Sequence, residues 1–357
     1  MLPFVSVIIP VRNERAMLPR LLDQLLAQNY PPDRYEILVV DGRSTDGTPD
    51  LVRRRFSGRA VPIRVLDNPK SQTSAGRNAG LRAARGEIVL FLNGHCAVPS
   101  RNLLEDSVAL LERTGAGCLC RPQPLLAPAA TDMGEVIAQA RASWLGRDPL
   151  FCDGNHTGPI DAVRGAATYR REVFERVGLY DESFDVCEDL DLNTRVRQAG
   201  ITAFADPRLT VNDQPRARVG LLFRDMLRHG RARLRLLSRH RGCLPAASLA
   251  PLALLLFVPA AAFAWWLLPT LAAAVLTVPL AAFVIAAAVA SLQLGKRFGA
   301  GYAWRAPRIF SAIWFGLGAG LLLELLHPTP RTGPVELLAP REAHEELETA
   351  ASVPRAA

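Results

Sequence analysis

The sequence predicts an α/β fold whose mainly parallel sheet is flanked by helices and followed by transmembrane helices toward the C-terminus. Short apolar, β-branched runs alternate with helical patterns through about the first 215 residues, and this alternation is typical of right-handed βαβ units. A polar turn follows each of the clearest strand patterns. Farther along, the chain has no Asp, Glu, Lys or Arg from Gly242 to Gly295, which predicts membrane helices.

Four strands and three helices can be placed in chain order. The strands are expected in FVSVIIPV, YEILVVD, IRVLDN and EIVLFL, and helical spacing occurs in NERAMLPRLLDQLLAQ, TPDLVRRRF and SAGRNAGLRAARG. Ligands of parallel sheets bind beyond the carboxyl ends of the strands. The polar turns at 12–14, 41–46 and 93–95 follow three of these ends, so we expect them to converge on one site. Neither G-x-G-x-x-G nor a P-loop lysine is present, which argues against the usual dinucleotide and NTPase folds.

The uncharged run is long enough for two membrane helices, since one crossing needs about 20 apolar residues. We place them at about 244–268 and 271–294, with a reversal at Leu268–Thr270. A third apolar segment, 309–326, carries Glu324 and either crosses the bilayer or lies in its interface. Buried core helices of a soluble protein are the weaker alternative, because uncharged runs of this length are rare in soluble folds.

The expected orientation follows from the N-terminus and from the arginines. The first residues, MLPFVSVIIPVRNE, have neither the basic leader nor the long apolar stretch of a signal peptide. Lysine and arginine beside membrane helices favour the cytoplasmic side, and nine arginines lie from Arg216 to Arg241. We therefore expect residues 1–215 to form a cytoplasmic domain.

The basic block predicts an interfacial helix over 216–243 at the membrane surface. The chain has a net charge of +8 and a pI of about 9.6. Nucleic acid is not favoured as a partner, because these arginines adjoin a membrane helix and no aromatic stacking platform accompanies them. Arg228, Arg231 and Arg233 are instead candidates for binding a substrate phosphate. Residues 328–357 are expected to form a flexible tail, since Pro, Ala and Glu are scattered through them.

Two groups of carboxylates are candidates for chemistry. Asp41 ends a strand too early to cap the next helix, whereas Asp46 is equally well explained as a cap. In FDVCEDLDLNTRVRQAG, Glu188 and Asp189 are adjacent at the start of a helix. Neighbouring side chains diverge, so one can meet a substrate while the other holds the structure, and like charge raises the pKa of one, which suits a general base. For Asp191 the helix dipole is a sufficient explanation.

Several motifs occur together in an order that resembles the family 2 glycosyltransferases, enzymes with the GT-A fold. They are VSVIIPVRNE, ILVVDGRSTDGT, SAGRNAGLRAARGEIVLFLNGH and VRGAATYRREVFERVGLYDESFDVCEDLDLNTRVRQAG, which together span about residues 4–215. The Asn-Gly-His turn, the HGRAR stretch and the C-terminal apolar segment are most similar to the subgroup that includes bacterial succinoglycan-assembling glucosyltransferases. The resemblance implies sugar transfer from a nucleotide-diphosphate donor, with UDP-sugars as the first expectation.

The resemblance also implies a role for each part of the site. Asp41 and Glu14 would hold the base of the sugar nucleotide, and Asp189 would be the general base that takes the acceptor proton, with Glu188 beside it. Displacement would be direct and would invert the anomeric centre, while Mn²⁺ or Mg²⁺ would neutralise the leaving diphosphate. The residues implied in nucleotide-sugar binding are Pro10, Arg12, Glu14, Asp41, Ser44, Arg77, Asn93 and Gly94.

The departure from the family pattern lies at residues 93–95. The family usually has Asp at the position of Asn93, and commonly a second Asp at the position of His95. A neutral imidazole can bind Mn²⁺, although Mg²⁺ prefers oxygen, so His95 is the expected metal ligand. Loss of both carboxylates should weaken metal affinity, and arginines would then carry part of the diphosphate charge. The alternative for His95 is a turn histidine bonded to the backbone.

The leading hypothesis is an inverting glycosyltransferase that acts on a lipid-linked glycan in exopolysaccharide or cell-surface glycan synthesis. It would be a multi-pass protein of the bacterial inner membrane with a cytoplasmic catalytic domain. One alternative changes the acceptor to polyprenyl phosphate itself. Another is a non-catalytic membrane scaffold that binds sugar nucleotides. Asn93 motivates the scaffold, and the Glu188–Asp189 pair argues against it, because a scaffold needs no base.

Overall fold

The structure is a computed structural model that describes residues 2–126, 132–148, 154–214, 218–240, 242–267, 270–330, 333 and 335–339. Its N-terminal part is a three-layer α/β domain, with helices on both faces of an eight-stranded sheet. Longer helices follow toward the C-terminus. The predicted fold class, a mainly parallel sheet flanked by helices and followed by apolar helices, is confirmed.

The sheet has a parallel half and a mixed half. Its strands are β1 (Val5–Val11), β2 (Tyr35–Asp41), β3 (Ile63–Asp67), β4 (Ile88–Phe91), β5 (Cys118–Cys120), β6 (Gly158–Ile160), β7 (Ala166–Arg170) and β8 (Ala203–Ala205). They lie in the order β3-β2-β1-β4-β7-β5-β8-β6, with β7 antiparallel to both of its neighbours and β6 antiparallel to β8. Val11 lies opposite Asp41, and Asp41 opposite Asp67, so the first three strands end at one edge.

Helices cover both faces of this sheet. Those of the α/β domain are α1 (Leu18–Leu26), α2 (Thr48–Phe56), α3 (Thr73–Ala83), α4 (Leu103–Thr114), α5 (Asp132–Ala142), α6 (Glu172–Val177) and α7 (Glu188–Gln198). Apolar side chains of α1, α2 and α4 pack on one face, and those of α3, α6 and α7 on the other. Strands β1 and β2 are buried on both sides, which explains their continuous apolar sequences.

The C-terminal part consists of α8 (Val219–Arg239), α9 (Ala250–Leu267), α10 (Thr270–Phe298) and α11 (Ala300–Leu326). The segments Ala246–Leu267, Thr277–Phe298 and Ala300–Leu326 are each long and apolar enough to cross a membrane. The third apolar helix therefore begins at Ala300 and not near residue 309. The predicted reversal falls on Leu268 and Pro269, which lie outside the described residues.

Helix α8 contains six of the nine arginines between Arg216 and Arg241, and it packs against the α/β domain. At its C-terminal end Arg239 pairs with Asp181, and His240 Nε2 lies 2.8 Å from Asp191 Oδ1. Leu236 is buried in the same apolar cluster as residues of the α/β domain. The basic helix is therefore a fixed structural element that links the domain to the apolar helices.

Part of the C-terminal tail also returns to the α/β domain. The backbone N–H of Leu179 donates to the carbonyl of Glu336 at 2.8 Å, and the N–H of Leu338 donates to the carbonyl of Phe174 at 3.3 Å. Leu338 is buried in the apolar cluster that contains Phe174. Residues 335–339 thus differ from the expected flexible tail, because they bury apolar side chains and pair their backbone groups.

Candidate active site

The turn after β2 contains Asp41, a predicted site residue. Its buried carboxylate accepts a hydrogen bond at Oδ2 from the N–H of Ser44 at 3.1 Å. The other oxygen, Oδ1, is buried and has no hydrogen-bond partner among the residues that the structure describes. Because an unpaired buried acceptor is costly, this oxygen is suited to receive a hydrogen bond from a ligand. The Ser44 hydroxyl accepts from the N–H of Asn13 at 2.8 Å and joins this turn to the preceding one.

The turn after β1 is held against the turn after β2. The side-chain oxygen of Asn13 accepts from the N–H of Thr45 at 2.8 Å. Asp46 accepts from the N–H of Thr48 at 2.9 Å and from the N–H of Arg15 at 3.0 Å. Asp46 thus satisfies backbone donors at the start of α2, as in the capping alternative, and fixes the distance between the two turns.

Two other predicted residues, Pro10 and Arg12, lie at the end of β1. Pro10 packs close to α3, since a β-carbon placed at Gly76 would lie 3.2 Å from Pro10 Cβ. The side chain of Arg12 is exposed. Non-glycine residues with positive φ cost roughly 1–3 kcal/mol each and concentrate at functional sites. Those in the described chain occur in turns of the site and before the acid pair, at Asn13, Arg43, Ser71 and Cys187.

His95 lies between two carboxylates. Its Nδ1 is 2.8 Å from Glu14 Oε1, and its Nε2 is 3.2 Å from Asp213 Oδ1. Burial alone would lower the pKa of His95, but hydrogen bonds to Asp213 and Glu14, with their charges, raise it to about 10. The imidazole is therefore a cation at neutral pH that donates from both nitrogens. Burial alone would raise the pKa of Asp213, but the hydrogen bond from His95 and the charge of His95 lower it overall.

This arrangement does not fit metal ligation by His95. An imidazolium bonded at both nitrogens has no lone pair for Mn²⁺. Glu14 and Asp213 carry the oxygens that hard cations prefer, but both are engaged by His95. Within the described parts of the chain, no group of three or more His, Cys, Asp or Glu side chains is placed to hold a metal ion. In this arrangement, His95 is hydrogen-bonded to both carboxylates.

Replacing His95 by glutamine should destabilise the fold, because Glu14 and Asp213 lose the cation between them. We expect the free energy of unfolding to fall by about 1–3 kcal/mol at neutral pH. A group whose pKa is raised on folding stabilises only while its proton is bound. The difference from wild type should thus be complete below about pH 6.5 and disappear as the pH rises through about 10. Thermal unfolding across this range measures it, and a pH-independent difference would contradict the bridging role.

The turn after β4 approaches Glu14 closely at Gly94. A β-carbon at this position would lie 2.9 Å from Glu14 Cγ and 2.9 Å from Val11 Cγ1, which is closer than packed carbons allow. Asn93, half-buried in the same turn, accepts at its carbonyl from the N–H of Cys96 at 3.0 Å. Gly94 therefore allows the carboxylate of Glu14 to reach His95.

Glu188 is turned inward onto Arg77. Its Oε1 lies 3.2 Å from Nη1 of Arg77; the Glu188 side chain is buried, and that of Arg77 is 12% exposed. The guanidinium also lies over the rings of Tyr180 and Phe91, at 5.0 and 5.7 Å from their centroids. Burial raises the pKa of Glu188 to about 7, with Arg77 opposing this effect and Asp189 adding to it. Glu188 and Arg77 thus form a largely buried structural pair beside the strand-end turns.

Asp189 points away from this pair, toward a cavity. Its Oδ1 accepts from the N–H of Leu190 at 2.9 Å, and the side chain is only half-buried. The next carboxylate, Asp191, is fully buried between Arg195, at 2.9 Å, and His240, at 2.8 Å. Three neighbouring acids at the start of α7 therefore have three different environments, and Asp189 is the one open to a substrate.

The cavity that contains Asp189 has a volume of about 670 Å³ and lies between the α/β domain and the apolar helices. Its polar wall is formed by Arg141, Arg147, Asp148, Asp189, His229 and Arg233. Its apolar wall includes Phe257, Phe283, Trp314 and Leu317, which belong to α9, α10 and α11. A cavity with one charged wall and one apolar wall suits a ligand with an anionic head and a lipid chain.

The three arginines predicted to bind phosphate are placed differently. Arg233 lines the cavity and pairs with Asp148. Arg228 pairs with an exposed aspartate at the protein surface, and Nε of Arg231 donates to Glu324 Oε2 at 2.9 Å. Only Arg233 of these three therefore lies beside Asp189.

Two further polar residues line the cavity. Arg141 has no ion pair or direct hydrogen bond through its side chain to any described residue, and burial lowers its pKa. His229 Nδ1 donates to the carbonyl of Asp225 at 2.8 Å. Burial lowers the pKa of His229, so its Nε2 remains an acceptor in the neutral ring. Arg141 is thus a cation of the cavity that interacts with the charges of Asp213, Asp148 and Asp225 without being bonded to any of them in the described structure.

Sequence reasoning missed three residues of this region: Arg121, Arg141 and Asp213. Arg121 follows β5 directly, and the rule that ligands bind at strand ends could have identified it. It is buried, its Nη2 donates to the carbonyl of Phe91 at 2.6 Å, and Nε and Nη1 have no partner among the described residues. No motif indicates Arg141 or Asp213, because only the tertiary fold brings them to the site.

The strand-end turns, the acid pair at the start of α7 and the mixed sheet are arranged as expected for a glycosyltransferase with the GT-A fold. The family model described as glycosyl transferase family 2 matches residues 6–178. Residues 6–178 of the chain thus form a family 2 glycosyltransferase domain, as the sequence motifs predicted.

The curated relatives include two named as glycosyltransferases and one named for succinoglycan biosynthesis. The glycosyltransferase AglE of Haloferax volcanii is 42% identical over 115 residues, which are 32% of this chain and 37% of that protein. The succinoglycan biosynthesis protein ExoA of Rhizobium meliloti is 29% identical over 255 residues, covering 69% of this chain and 74% of that protein. A dolichyl N-acetyl-α-D-glucosaminyl phosphate 3-β-D-2,3-diacetamido-2,3-dideoxy-β-D-glucuronosyltransferase of Methanococcus voltae is 23% identical, covering 64% of this chain and 73% of that protein.

A solved structure shares the fold. The mannosyltransferase PcManGT of Pyrobaculum calidifontis, in complex with GDP-Man and Mn²⁺, has a TM-score of 0.56 and 23% sequence identity. The similarity covers 92% of this chain and 88% of that chain. At this level of identity the similarity supports the GT-A fold with its C-terminal helices.

Proposed function

We propose that this glycosyltransferase is an inverting enzyme that moves a sugar from a nucleotide-diphosphate donor, of the UDP-sugar class, to a hydroxyl of a lipid-linked glycan. The product would belong to exopolysaccharide or other cell-surface glycan synthesis. The observation that carries the proposal is the cavity shared by Asp189 and the apolar helices. A lipid held along those helices would bring the head of the acceptor to the carboxylate.

The donor would bind at the carboxyl ends of β1, β2 and β4. The unpaired Oδ1 of Asp41 would accept a hydrogen bond from the base or ribose. His95 and Arg121 are two cations at this edge of the sheet. We assign to them the stabilisation of the negative charge that develops on the leaving diphosphate. Mn²⁺ or Mg²⁺ stays an expectation from the family resemblance.

The transfer itself would be a single displacement. The acceptor oxygen attacks the anomeric carbon as its proton passes to Asp189, and the bond from that carbon to the diphosphate oxygen breaks with its electron pair. Attack opposite the leaving group inverts the anomeric centre. The inward position of Glu188, on Arg77, leaves Asp189 as the carboxylate that can reach the acceptor.

A titration with Mn²⁺ tests the assignment of His95. In His95→Gln, the Mn²⁺ concentration that gives half-maximal transfer should equal that of wild type, while the KM for the sugar nucleotide rises. A shifted Mn²⁺ midpoint would show that the imidazole is a metal ligand.

Arg141 favours a second candidate acceptor, polyprenyl phosphate itself. Arg141 lies in the same cavity as Asp189 and has no ion-pair partner among the described residues. Its guanidinium could therefore hold a lipid phosphate in place to act as the attacking group. We propose the lipid-linked glycan as the main acceptor, because a general base is needed for a hydroxyl and not for an ionised phosphate.

The two acceptors give different lipid products. Membranes containing the full chain are supplied with radiolabelled UDP-sugars and with either polyprenyl phosphate or a glycosylated polyprenyl diphosphate, and the lipids are separated by chromatography. We expect extension of the pre-glycosylated lipid only. A labelled lipid phosphate monosugar would instead favour the second candidate, and no product from any sugar nucleotide would contradict both.

We also propose that the catalytic domain faces the cytoplasm of a bacterial inner membrane. The support is the concentration of arginine on α8 and at the end of α10, where Lys296 and Arg297 lie, since such residues favour the cytoplasmic side.

A further inference from the structure

Helix α11 differs from the other two apolar helices in how far protein covers it. Within the most apolar 18-residue window of each helix, 56% of the residues of α11 are buried, against 17% for α9 and 28% for α10. Length and composition alone would allow all three to cross a membrane. The contacts of α11 with the rest of the protein indicate whether this helix crosses the bilayer.

Helix α11 packs side by side with α8, in the same direction. A β-carbon at Gly320 would lie 2.1 Å from the carbonyl oxygen of Leu227, and one at Gly316 would lie 2.8 Å from Met226 Cβ. The two backbones therefore touch over more than one turn, and later residues of α8 meet later residues of α11. Helix α8 contains six arginines and cannot lie within the hydrocarbon of a bilayer.

The C-terminal end of α11 is fixed at the α/β domain. Glu324 accepts hydrogen bonds from Arg231 at 2.9 Å and from Arg235 at 3.4 Å. Arg235 also donates to the carbonyl of Ser183, which precedes the acid pair of the active site. The end of α11 is thus level with the start of the catalytic helix α7.

The first half of α11 touches the α/β domain as well. Trp314 Nε1 donates to the carbonyl of Leu145 at 3.2 Å. Ala306 and Phe310 are buried in one apolar cluster with Ile137 of α5. Contacts with the domain therefore extend along α11, whereas a crossing helix would carry the chain about 30 Å away from it.

We propose that α11 lies along the membrane surface and does not cross the bilayer, so that the catalytic domain and the C-terminal tail share one side. The chain leaves the domain at α8 and returns to it at residues 335–339, so the number of crossings between these points is even. The exposed Trp304, Leu325 and Leu326 are the side chains of α11 that we expect to meet lipid at the interface.

Single cysteines at the two ends of α11 test this placement. Gly301 and Gly333 have no atom within 4 Å of an added β-carbon, so Gly301→Cys and Gly333→Cys should fold. Ser57→Cys, at an exposed position of the α/β domain, provides the reference. The described native cysteines are buried, and the parent chain measures their background. Each variant is treated with a membrane-impermeant maleimide in sealed vesicles of both orientations.

We expect all three positions to be labelled in the same vesicle orientation. Labelling of Gly301→Cys and Gly333→Cys from opposite sides would show that α11 crosses the bilayer. Labelling of both from the side opposite to Ser57→Cys would also overturn the proposal. A fluorescent protein fused after the last residue of the full chain gives a second measurement, since it should face the same side as the Ser57 position.

Discussion

Asp189→Asn should abolish sugar transfer while leaving sugar-nucleotide binding nearly unchanged. The amide keeps the size of the side chain but cannot take the acceptor proton, and loss of a positioned general base costs about 10²- to 10⁴-fold in rate. Asp189 forms no ion pair in the described structure, and its Oδ1 accepts a hydrogen bond from the N–H of Leu190 at the start of α7. The fold should therefore tolerate the change. Turnover measured with labelled donor and nucleotide binding measured by calorimetry separate the two effects.

Asp185→Asn is the matched control. Asp185 lies on the same segment, but it is exposed and pairs with Arg228 outside the cavity, so its loss should leave turnover within about twofold of wild type. Unchanged turnover in Asp189→Asn would refute the base assignment. A parallel loss of nucleotide binding would instead indicate that the side chain shapes the donor site.

Arg141→Met should weaken acceptor use about 10- to 100-fold, seen as a higher KM for the lipid acceptor. Hydrogen bonds to a charged partner contribute roughly 1.5–3 kcal/mol, and methionine preserves the length of the side chain while removing the cation. The KM for the sugar nucleotide should stay near the wild-type value. Initial rates measured while each substrate is varied in turn distinguish the two constants.

Arg141→Lys should recover part of the loss, because it restores the charge without the planar fork of the guanidinium. Arg176→Met, an exposed change on α6, controls for a general effect of removing arginine. If Arg141→Met raised the KM of the donor and not that of the acceptor, the cation would belong to the diphosphate site.

The parallel half of the sheet could be predicted because each of its strands has a local signature. Strands β1 and β2 are buried on both faces and read as continuous apolar runs, and the turns that follow them contain the residues expected to converge. The strands of the mixed half, such as β5 and β8, have only three residues each. Such short runs carry too little periodicity to be recognised.

The electrostatic partners in the site were harder to predict than its location. His95 was expected as a metal ligand, yet the structure holds it between Glu14 and Asp213. Asp213 is far from His95 in the sequence and is brought to it by isolated bridges of Ala97 with Asn212 and of Leu125 with Asp213. A pairing of this kind depends on the closed tertiary fold, and no local spacing rule reports it.

The link between Asp191 and the residues around it has a consequence for substrate length. Asp191 binds both Arg195 of α7 and His240 at the end of α8, so the helix that contains the proposed base, Asp189, is held against the layer that we place on the membrane. The height of Asp189 above the lipid is then a fixed dimension of the enzyme. Under the proposed function, an acceptor with too many sugars between its lipid and its reactive hydroxyl would extend past the carboxylate. We therefore expect the enzyme to extend a growing glycan at one stage of its assembly.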